Sequence, residues 1–353
     1  MSQSSLDPPV RVNPAERLAE YFAPDDGRDA LRVLGGLLVG LGFAMVFLRK
    51  STPGLGSGWG DFGLFAVLLV ATVFLYGIAL AGRAATGTSR PWEAVYAVFG
   101  VVLAPFTLAQ FVQLVNGTPG APLNIAWIFL VTAALAAFAG MNGFRYGWLL
   151  ACIALIVSWS ALWSKILSNG LAAHFGVYRA LLLVLAAALL VAGWVARGAG
   201  RSRAATSEAR PGDPGLFAEF VTGASIAAVI AGGLSIGRLA ALANPFATVP
   251  GPSSALGWEI VLLIVSLAAL AWGSRAAARG PVYVGGFGLL LFLFIAGADL
   301  NDSSPSSSLM GWPVVLVIVG IVAFVLSVFP GLKVQSPIRS ASGQGSPPPG
   351  PST

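Results

Sequence analysis

Residues 197–215 read RGAGRSRAATSEARPGDPG, the longest polar interruption in a chain that otherwise consists of one apolar run after another. This stretch carries four arginines: Arg197, Arg201, Arg203 and Arg210. Lys and Arg concentrate in the cytoplasmic loops of membrane proteins, so the stretch is predicted to lie in the cytoplasm. The stretch is predicted to be a basic linker between two five-helix halves of the chain.

The composition indicates a membrane protein built from helices. Hydrophobic residues make up 56% of the chain, charged residues 10%, and the mean hydropathy is +0.83, whereas soluble domains carry roughly 25% charged residues. Because the apolar runs are continuous, they predict helices of about 20 residues and not the alternating segments of a β-barrel. The expected fold class is all-α, a polytopic transmembrane helical bundle. The Ala, Gly and Arg bias favours a bacterial source.

The charged residues predict where each span begins and ends, because a charge at the bilayer centre costs at least about 2.5 kcal/mol. The longest uncharged interval is divided by the turn sequence NGTPGAP at residues 116–122. The result is about ten spans: 33–48, 62–82, 94–115, 125–141, 146–164, 177–196, 216–236, 257–273, 282–298 and 312–329. They form a first half within residues 30–197 and a second half within residues 216–330, on either side of the linker at residues 198–215.

Both ends of the chain are polar. Residues 1–29 are predicted to be a cytoplasmic segment with a short amphipathic helix, in which Asn13 is the N-cap and Pro14 the first helical residue. Residues 331–353 are rich in Pro, Ser and Gly and are predicted to be a disordered cytoplasmic tail. The first apolar run lacks a small-residue cleavage site, so it is expected to be a retained helix.

The distribution of cations predicts the orientation. With ten spans both termini share a side, and placing them in the cytoplasm puts fifteen of the 20 Lys and Arg residues on the inner side. The outer cations are then Arg49, Lys50, Lys165, Arg179 and Arg238. The tryptophans independently fall near the predicted span ends, as expected for headgroup-level side chains. We therefore expect a multi-pass protein of the cytoplasmic membrane.

The third predicted span has the strongest polar pattern inside a span. Pro105 lies near its middle and is followed by Thr107, Gln110 and Gln113, with the two glutamines three residues apart and therefore predicted to share one face of the helix. Proline is expected to kink the helix. The polar side chains indicate either the wall of a polar cavity that opens outward or hydrogen bonds between helices. Both interpretations remain open at this stage.

Three charged residues near the predicted outer surface are further candidates for substrate binding. Arg238 lies in an apolar context and could line an outward pocket with Glu259, or could be an interfacial arginine whose head reaches water. Asp61 is in the first outer loop, where it is similar to an acidic residue of membrane-embedded glycosyltransferases that use lipid-linked sugars. That resemblance covers one position and implies, as an alternative function, a transferase acting at the outer face.

No enzyme constellation is present in the sequence. There is no HExxH, no GxSxG and no P-loop, and no ionisable residue lies near the middle of a predicted span. The single cysteine, Cys152, and the single histidine, His174, exclude metal sites built on several such residues. We expect a non-catalytic protein without a cofactor. The arginines are spread over several loops, so nucleic acid is not an expected partner.

Small residues predict close helix packing. Gly36 with Gly40, and Gly233 with Gly237, have GxxxG spacing, and Gly285 to Gly288 read as a packing feature and not as a nucleotide loop. Such faces could also support a homo-oligomer or a membrane-protein partner. The expected function is permease-like, for a small neutral or amphiphilic substrate, or that of a membrane partner subunit. The layout of five plus five spans is similar to that of ten-span drug/metabolite carriers.

Overall fold

The computed structural model describes residues 26–51, 59–86, 90–144, 146–167, 175–206, 214–233 and 256–299. Within these residues the chain forms nine α-helices joined by turns and loops. They are α1 (Asp26–Ser51), α2 (Asp61–Thr86), α3 (Pro91–Leu114), α4 (Pro122–Met141), α5 (Gly147–Ile166), α6 (Phe175–Thr206), α7 (Pro214–Gly233), α8 (Leu256–Arg275) and α9 (Arg279–Asp299).

These helices confirm an all-α, multi-pass membrane protein. Eight of them, α1 to α8, are long and apolar enough to cross a bilayer, and α9 has a shorter apolar part, Arg279–Leu293. Each helix overlaps one of the first nine predicted spans. The tenth predicted span, at 312–329, and the predicted amphipathic helix after Asn13 lie outside the described residues. The total of ten spans therefore stays a prediction. The division into five plus five around the linker is not confirmed, because six of the described helices, α1 to α6, begin before residue 198 and three begin after residue 213.

Several helices continue past the predicted span ends. The α1 helix begins at Asp26, before its predicted span at 33–48, and α6 ends at Thr206, within the sequence expected to be the linker. The physical reason is that charged residues are excluded from the hydrocarbon but not from a helix, whose backbone hydrogen bonds also form in water. Charges therefore predict the membrane boundary better than the helix boundary.

Successive helices alternate in direction. Gly82, near the end of α2, packs on Trp92 at the start of α3, and Gly140, near the end of α4, packs on Trp148 at the start of α5. We call the end of the bundle at which α1, α3, α5, α7 and α9 begin the basic end, and the other the opposite end. Six arginines whose side chains the structure describes lie at the basic end: Arg32, Arg83, Arg90, Arg197, Arg275 and Arg279.

The N-terminal helices pack through leucines and aromatic rings. Leu68, Leu75 and Leu103 form the core between α2 and α3. The α1 helix lies on α3 at its glycines: a Cβ on Gly36 would lie 2.6 Å from the Tyr96 ring, and one on Gly40 would lie 2.5 Å from the Phe99 ring. The GxxxG pair therefore accommodates aromatic side chains of the neighbouring helix.

The α7 helix is the most buried of the eight spanning helices, with 61% of its apolar window buried. Gly223 faces Cys152 of α5, whose sulfur would lie 2.8 Å from an added Cβ. On another side Gly232 faces the backbone of Leu262 in α8, where an added Cβ would lie 2.9 Å from the Leu262 Cα. Glycine at these positions lets α7 approach two neighbours at once.

The α9 helix approaches α8 at glycines as well. An added Cβ on Gly285 would lie 2.6 Å from the Ser266 carbonyl oxygen and 2.8 Å from the Leu270 amide nitrogen. Gly288 faces Ser266 and the side chain of Val229. The prediction that Gly285 to Gly288 serve helix packing is confirmed. Gly237, the second residue of the other predicted pair, lies outside the described residues.

The outer surface of the bundle is apolar. Large side chains project outward along the middle of the helices, among them Val73 at 63% exposure, Leu130 at 55%, Val184 at 59% and Ile264 at 59%. Continuous apolar surface of this extent is not found on soluble monomers, where the largest patch is about 300–600 Å². The surrounding medium of these helices is therefore a lipid bilayer.

Candidate functional site

The three polar residues predicted on α3 do not share one environment. Thr107 is buried, and its hydroxyl donates to the Leu103 carbonyl at 3.1 Å and lies 2.9 Å from the Thr72 hydroxyl of α2. Gln110 is buried as well, and its Oε1 has no hydrogen-bond partner within the part of the chain that the structure describes. Gln113 is exposed. The contacts of Thr107 therefore support the interpretation that these polar side chains form hydrogen bonds between helices. Gln113 does not lie on the buried face of α3.

A groove lies beside Thr107, halfway along α2 and α3. It has a volume of about 390 Å³ and is open to the surface, since Leu69 and Val73 in its wall are 41% and 63% exposed. The surface of the groove is entirely apolar. It is lined by Leu69, Thr72, Val73, Tyr76, Gly77 and Leu80 of α2, Gly100, Val101, Ala104, Thr107 and Leu108 of α3, and Leu135 of α4. We call it the mid-depth groove.

The polar atoms around the mid-depth groove bond within the protein. The Tyr76 hydroxyl donates to the Leu135 carbonyl at 2.9 Å, and the Thr72 and Thr107 hydroxyls bond each other. These bonds leave only carbon to face the groove. The interaction available to a ligand there is therefore van der Waals contact with an apolar chain.

Two glycines have different effects at this groove. A Cβ on Gly100 would lie 3.0 Å from the Tyr76 Cβ and 3.1 Å from the Tyr76 nitrogen, so α2 and α3 approach closely there. A Cβ on Gly77 would have nothing within 4 Å, because Gly77 faces the open side. The α3 helix is continuous through Pro105. The absence of a side chain at Gly77 therefore leaves the groove open, while Gly100 lets the two helices approach.

Glu259 belongs to a charged cluster at the opposite end. Arg238, its predicted partner, lies outside the described residues, so that pairing stays a prediction. Glu259 of α8 attracts Arg179 of α6 electrostatically, and both side chains are buried. The Arg179 guanidinium also lies 5.1 Å from the ring centroid of Trp258, a cation–π distance. This cluster joins the first turns of α6 and α8.

Asp61 lies at the first residue of α2 and is exposed. Among the described residues no group of three or more His, Cys, Asp or Glu side chains could hold a metal ion. An acidic residue in the first turn is favourable for the helix dipole. The transferase alternative, which rests on Asp61, stays a prediction.

An ion cluster that sequence reasoning missed joins α1 to α3 at the basic end. Arg32 donates to Asp29 Oδ1 at 2.7 Å, and Arg90 Nη1 lies 3.7 Å from Asp29 Oδ2. The fully buried carboxylate of Glu93 accepts the backbone N–H of Arg90 at 3.1 Å. Arg32 also lies 5.5 Å from the ring centroid of Trp92, which is buried in helix packing and not at the lipid surface.

Glu219 of α7 has a role that the sequence did not reveal. Its Oε1 accepts the backbone N–H of Tyr146 at 2.9 Å, and its Oε2 accepts that of Leu149 at 3.1 Å. These amides belong to the N-cap and first turn of α5, where Tyr146 has a left-handed φ of 68° and supplies no side-chain cap. The carboxylate of one helix thus caps another. The sequence signal that could have indicated this role was the presence of a carboxylate within the apolar sequence LFAEFV, residues 216–221.

The charged clusters and the groove differ in what they can do. Each cluster satisfies charges or helix ends inside the protein, which is a structural role. The mid-depth groove is a preformed concavity that reaches the bilayer, which is the property of a binding site. Comparison with protein-family models, with curated proteins and with solved structures found no match for this chain.

Proposed function

We propose that the chain is a non-catalytic, permease-like membrane protein that takes an amphiphilic molecule from within the bilayer. The observation that supports this is the mid-depth groove, whose volume of about 390 Å³ lies within the 300–1,000 Å³ typical of ligand pockets. Its wall is apolar and open to lipid, so the apolar portion of the molecule occupies it. The polar portion extends along the helices toward a headgroup layer.

The depth of the groove favours a molecule that is already in the membrane. Residues 69–80 of α2 and 100–108 of α3 occupy the middle of their spans, where the surrounding solvent is hydrocarbon. A small polar solute would find no hydrogen-bond partner at that depth, because Tyr76, Thr72 and Thr107 bond within the protein. Entry from the side, between α2 and α4, is the route that the exposed wall allows.

Photolabelling in nanodiscs tests this proposal. The probe is a phosphatidylcholine with a diazirine on one acyl chain, and the labelled peptides are mapped by mass spectrometry. Gly77→Leu places a side chain in the groove without a clash, since nothing lies within 4 Å of an added Cβ. Gly42→Leu on α1 is the matched control, because an added Cβ there also meets nothing within 4 Å and Gly42 does not line the mid-depth groove.

We expect wild-type labelling to concentrate on α2 and α3 around Leu69 to Leu80. Gly77→Leu should lower it several-fold, while Gly42→Leu should leave it unchanged. Equal labelling of all lipid-facing helices, with no effect of Gly77→Leu, would refute the groove as a binding site. Both variants keep the bundle contacts, so a loss confined to Gly77→Leu reports on the groove.

A partner-subunit function is the second candidate. It is favoured by the same open glycine, because small residues on a lipid-facing surface let another transmembrane helix approach closely. In that case a specific membrane protein should co-purify with the wild-type chain and with Gly42→Leu but not with Gly77→Leu. The diazirine lipid should then label the groove weakly in native membranes and strongly after the partner is removed.

For orientation we propose the cytoplasmic membrane, with the basic end and both termini inside. The excess of arginines at the basic end supports this by the positive-inside tendency. Cys152 is buried, so the wild-type chain should not react with maleimide and gives a silent background. Ser207→Cys in the predicted linker should then react from the cytoplasmic side, and Ser304→Cys from the outside. The reverse pattern would invert the topology.

A further inference from the structure

The side of α1 that faces away from the bundle carries a continuous ridge of large apolar side chains. It is exposed because α1 packs on α3 through its other side, at Gly36 and Gly40. The ridge consists of six residues, each at least 51% exposed: Leu31, Leu34, Leu38, Leu41, Met45 and Leu48. We call it the leucine ridge. It lies on a different helix from the mid-depth groove, and the inference below does not depend on the proposed function.

The spacing of the leucine ridge is that of a coiled-coil seam. Its members follow one another at intervals of three, four, three, four and three residues, so they occupy the a and d positions of a seven-residue repeat. Such a repeat keeps one line of side chains against a neighbouring helix that crosses at about 20°. Contact with lipid requires no repeat. The exposed line of the same spacing on α6 is interrupted by Ala180 and Ala187, so the unbroken ridge is a property of α1.

No charge interrupts the leucine ridge within the span. Arg32, next to its first member, donates to Asp29 Oδ1 at 2.7 Å and lies 5.5 Å from the ring centroid of Trp92 on α3. Residues 33–48 contain no Asp, Glu, Lys or Arg. A second apolar helix can therefore cover the ridge without moving a charge into the hydrocarbon.

The exposed area of the ridge is sufficient for a reversible dimer. With about 100 Å² for a large apolar side chain, the exposed parts of the ridge amount to roughly 400 Å² per copy. Two copies would bury about 800 Å², less than the ~1,000 Å² expected of a stable complex in water. In lipid, van der Waals packing stabilises such a contact without a hydrophobic gain. The dimer should therefore dissociate when it is diluted with lipid.

A second copy of this chain supplies the matching surface. Copies inserted into one membrane share one orientation, so two α1 helices in contact are parallel, and in a parallel pair a packs against a and d against d. The interface is then isologous, with its two-fold axis along the membrane normal. We propose that the leucine ridge is the contact surface of a homodimer, in which the two α1 helices pack in parallel with Leu38 and Leu41 near the centre.

Disulfide cross-linking in membranes of the expressing cells tests this inference. Cys152 is buried, so the wild-type chain gives a silent background, and Leu38→Cys places one new thiol per copy on the ridge. A parallel pair brings the two thiols within reach of a disulfide, which requires Cα atoms about 4.4–6.8 Å apart. Oxidation with copper phenanthroline should convert most of this variant to a product of twice the chain mass. Val184→Cys on α6 is the matched control and should give little of it, although Val184 is 59% exposed against 62% for Leu38.

Energy transfer measures the strength of the association. Donor-labelled and acceptor-labelled full chains are reconstituted together in phosphatidylcholine and diluted stepwise with lipid. Leu38→Ala combined with Leu41→Ala should lower the association constant about tenfold, because van der Waals contacts are lost on both copies. Leu123→Ala combined with Leu130→Ala on α4 truncates two leucines that are 52% and 55% exposed, and it should leave the constant unchanged.

Several results would overturn the proposal. Equal cross-linking of Leu38→Cys and Val184→Cys would show random collision, and absence of a dimer from both would leave the ridge to lipid. A cross-linked product of another mass would assign the ridge to a different protein. Equal association constants for the two double alanine variants would show that the ridge does not hold the copies together. Each of these variants truncates or replaces exposed side chains, so the packing of the single copy is kept.

Discussion

The α1 and α7 helices have the hydropathy of membrane spans, yet only 11% of the apolar window of α1 is buried in the bundle, against 61% for α7. Their compositions differ in side-chain size. More than half of the α7 residues are Gly, Ala, Ser or Thr, whereas α1 is rich in leucine and exposes Leu31, Leu38 and Leu48 by more than 60%. Size, and not hydropathy, separates a central helix from a peripheral one.

The physical reason is that lipid and protein are equally apolar surroundings. A leucine gains little by leaving lipid for the bundle, so hydrophobicity does not drive helix association within the membrane. Close van der Waals contact does, and it requires small residues such as Gly223 and Gly232 on α7. This difference predicts that identical changes have unequal effects near α1 and near α7.

The largest expected difference concerns charge. Arg179→Ala on α6, which packs along α7, would remove the buried cation that attracts the buried Glu259 carboxylate, and breaking a buried pair costs about 3–5 kcal/mol. Arg32→Ala on α1 removes a partner of Asp29 from a pair that is partly exposed, with side-chain exposures of 20% and 23%. For that variant we expect about 1 kcal/mol or less.

Thermal unfolding in detergent, followed by size-exclusion chromatography, measures this difference. Arg179→Ala should lower the melting temperature much more than Arg32→Ala does. Glu259→Gln in the Arg179→Ala background should recover part of the loss, because it replaces a buried negative charge by a neutral amide. Equal melting of the two arginine variants would show that the burial of Arg179 does not determine its contribution.

A smaller difference is expected for added volume. Gly232→Leu on α7 would place a Cβ 2.8 Å from the Leu262 Cβ and 2.9 Å from its Cα, so backbone would have to move. Overpacking of this kind costs about 1–3 kcal/mol. Gly42→Leu on α1 meets nothing within 4 Å and should be neutral or slightly stabilising. If the two variants unfold at the same temperature, glycine is not required for packing on α7.

The sequence predicted the spans well and the packing poorly. Charged residues such as Arg83 and Arg275 indicate span ends because lipid excludes them. In the structure both lie in the last turn of their helices. The sequence predicts less well which helix becomes central in the bundle, because lipid-facing and protein-facing positions are both apolar. Thr107 was found because a hydroxyl in an apolar span needs a partner. The mid-depth groove was not found, because it depends on the open space beside Gly77, which no local sequence pattern indicates.

Glu219 shows the same limit for charged residues. Near the start of a predicted span it resembles an ordinary interfacial carboxylate, and its role depends on the distance to a helix 70 residues earlier in the chain. Nothing in the local sequence states that α5 begins without a side-chain cap of its own. The two features become informative only when α5 and α7 are seen side by side.

The smallest expected effect tests that pairing. Glu219→Ala would leave the backbone N–H groups of Tyr146 and Leu149 without their shared acceptor, and loss of a helix cap costs about 0.5–2 kcal/mol. Glu93→Ala offers a comparison at the start of α3, where the carboxylate accepts the Arg90 N–H within one helix. Hydrogen exchange of the α5 amides should increase in Glu219→Ala and stay unchanged in Glu93→Ala. Glu219→Gln, which keeps one acceptor oxygen, should fall between Glu219→Ala and the wild-type chain. Unchanged exchange at Tyr146 and Leu149 in Glu219→Ala would mean that α7 contributes packing to α5 but no cap.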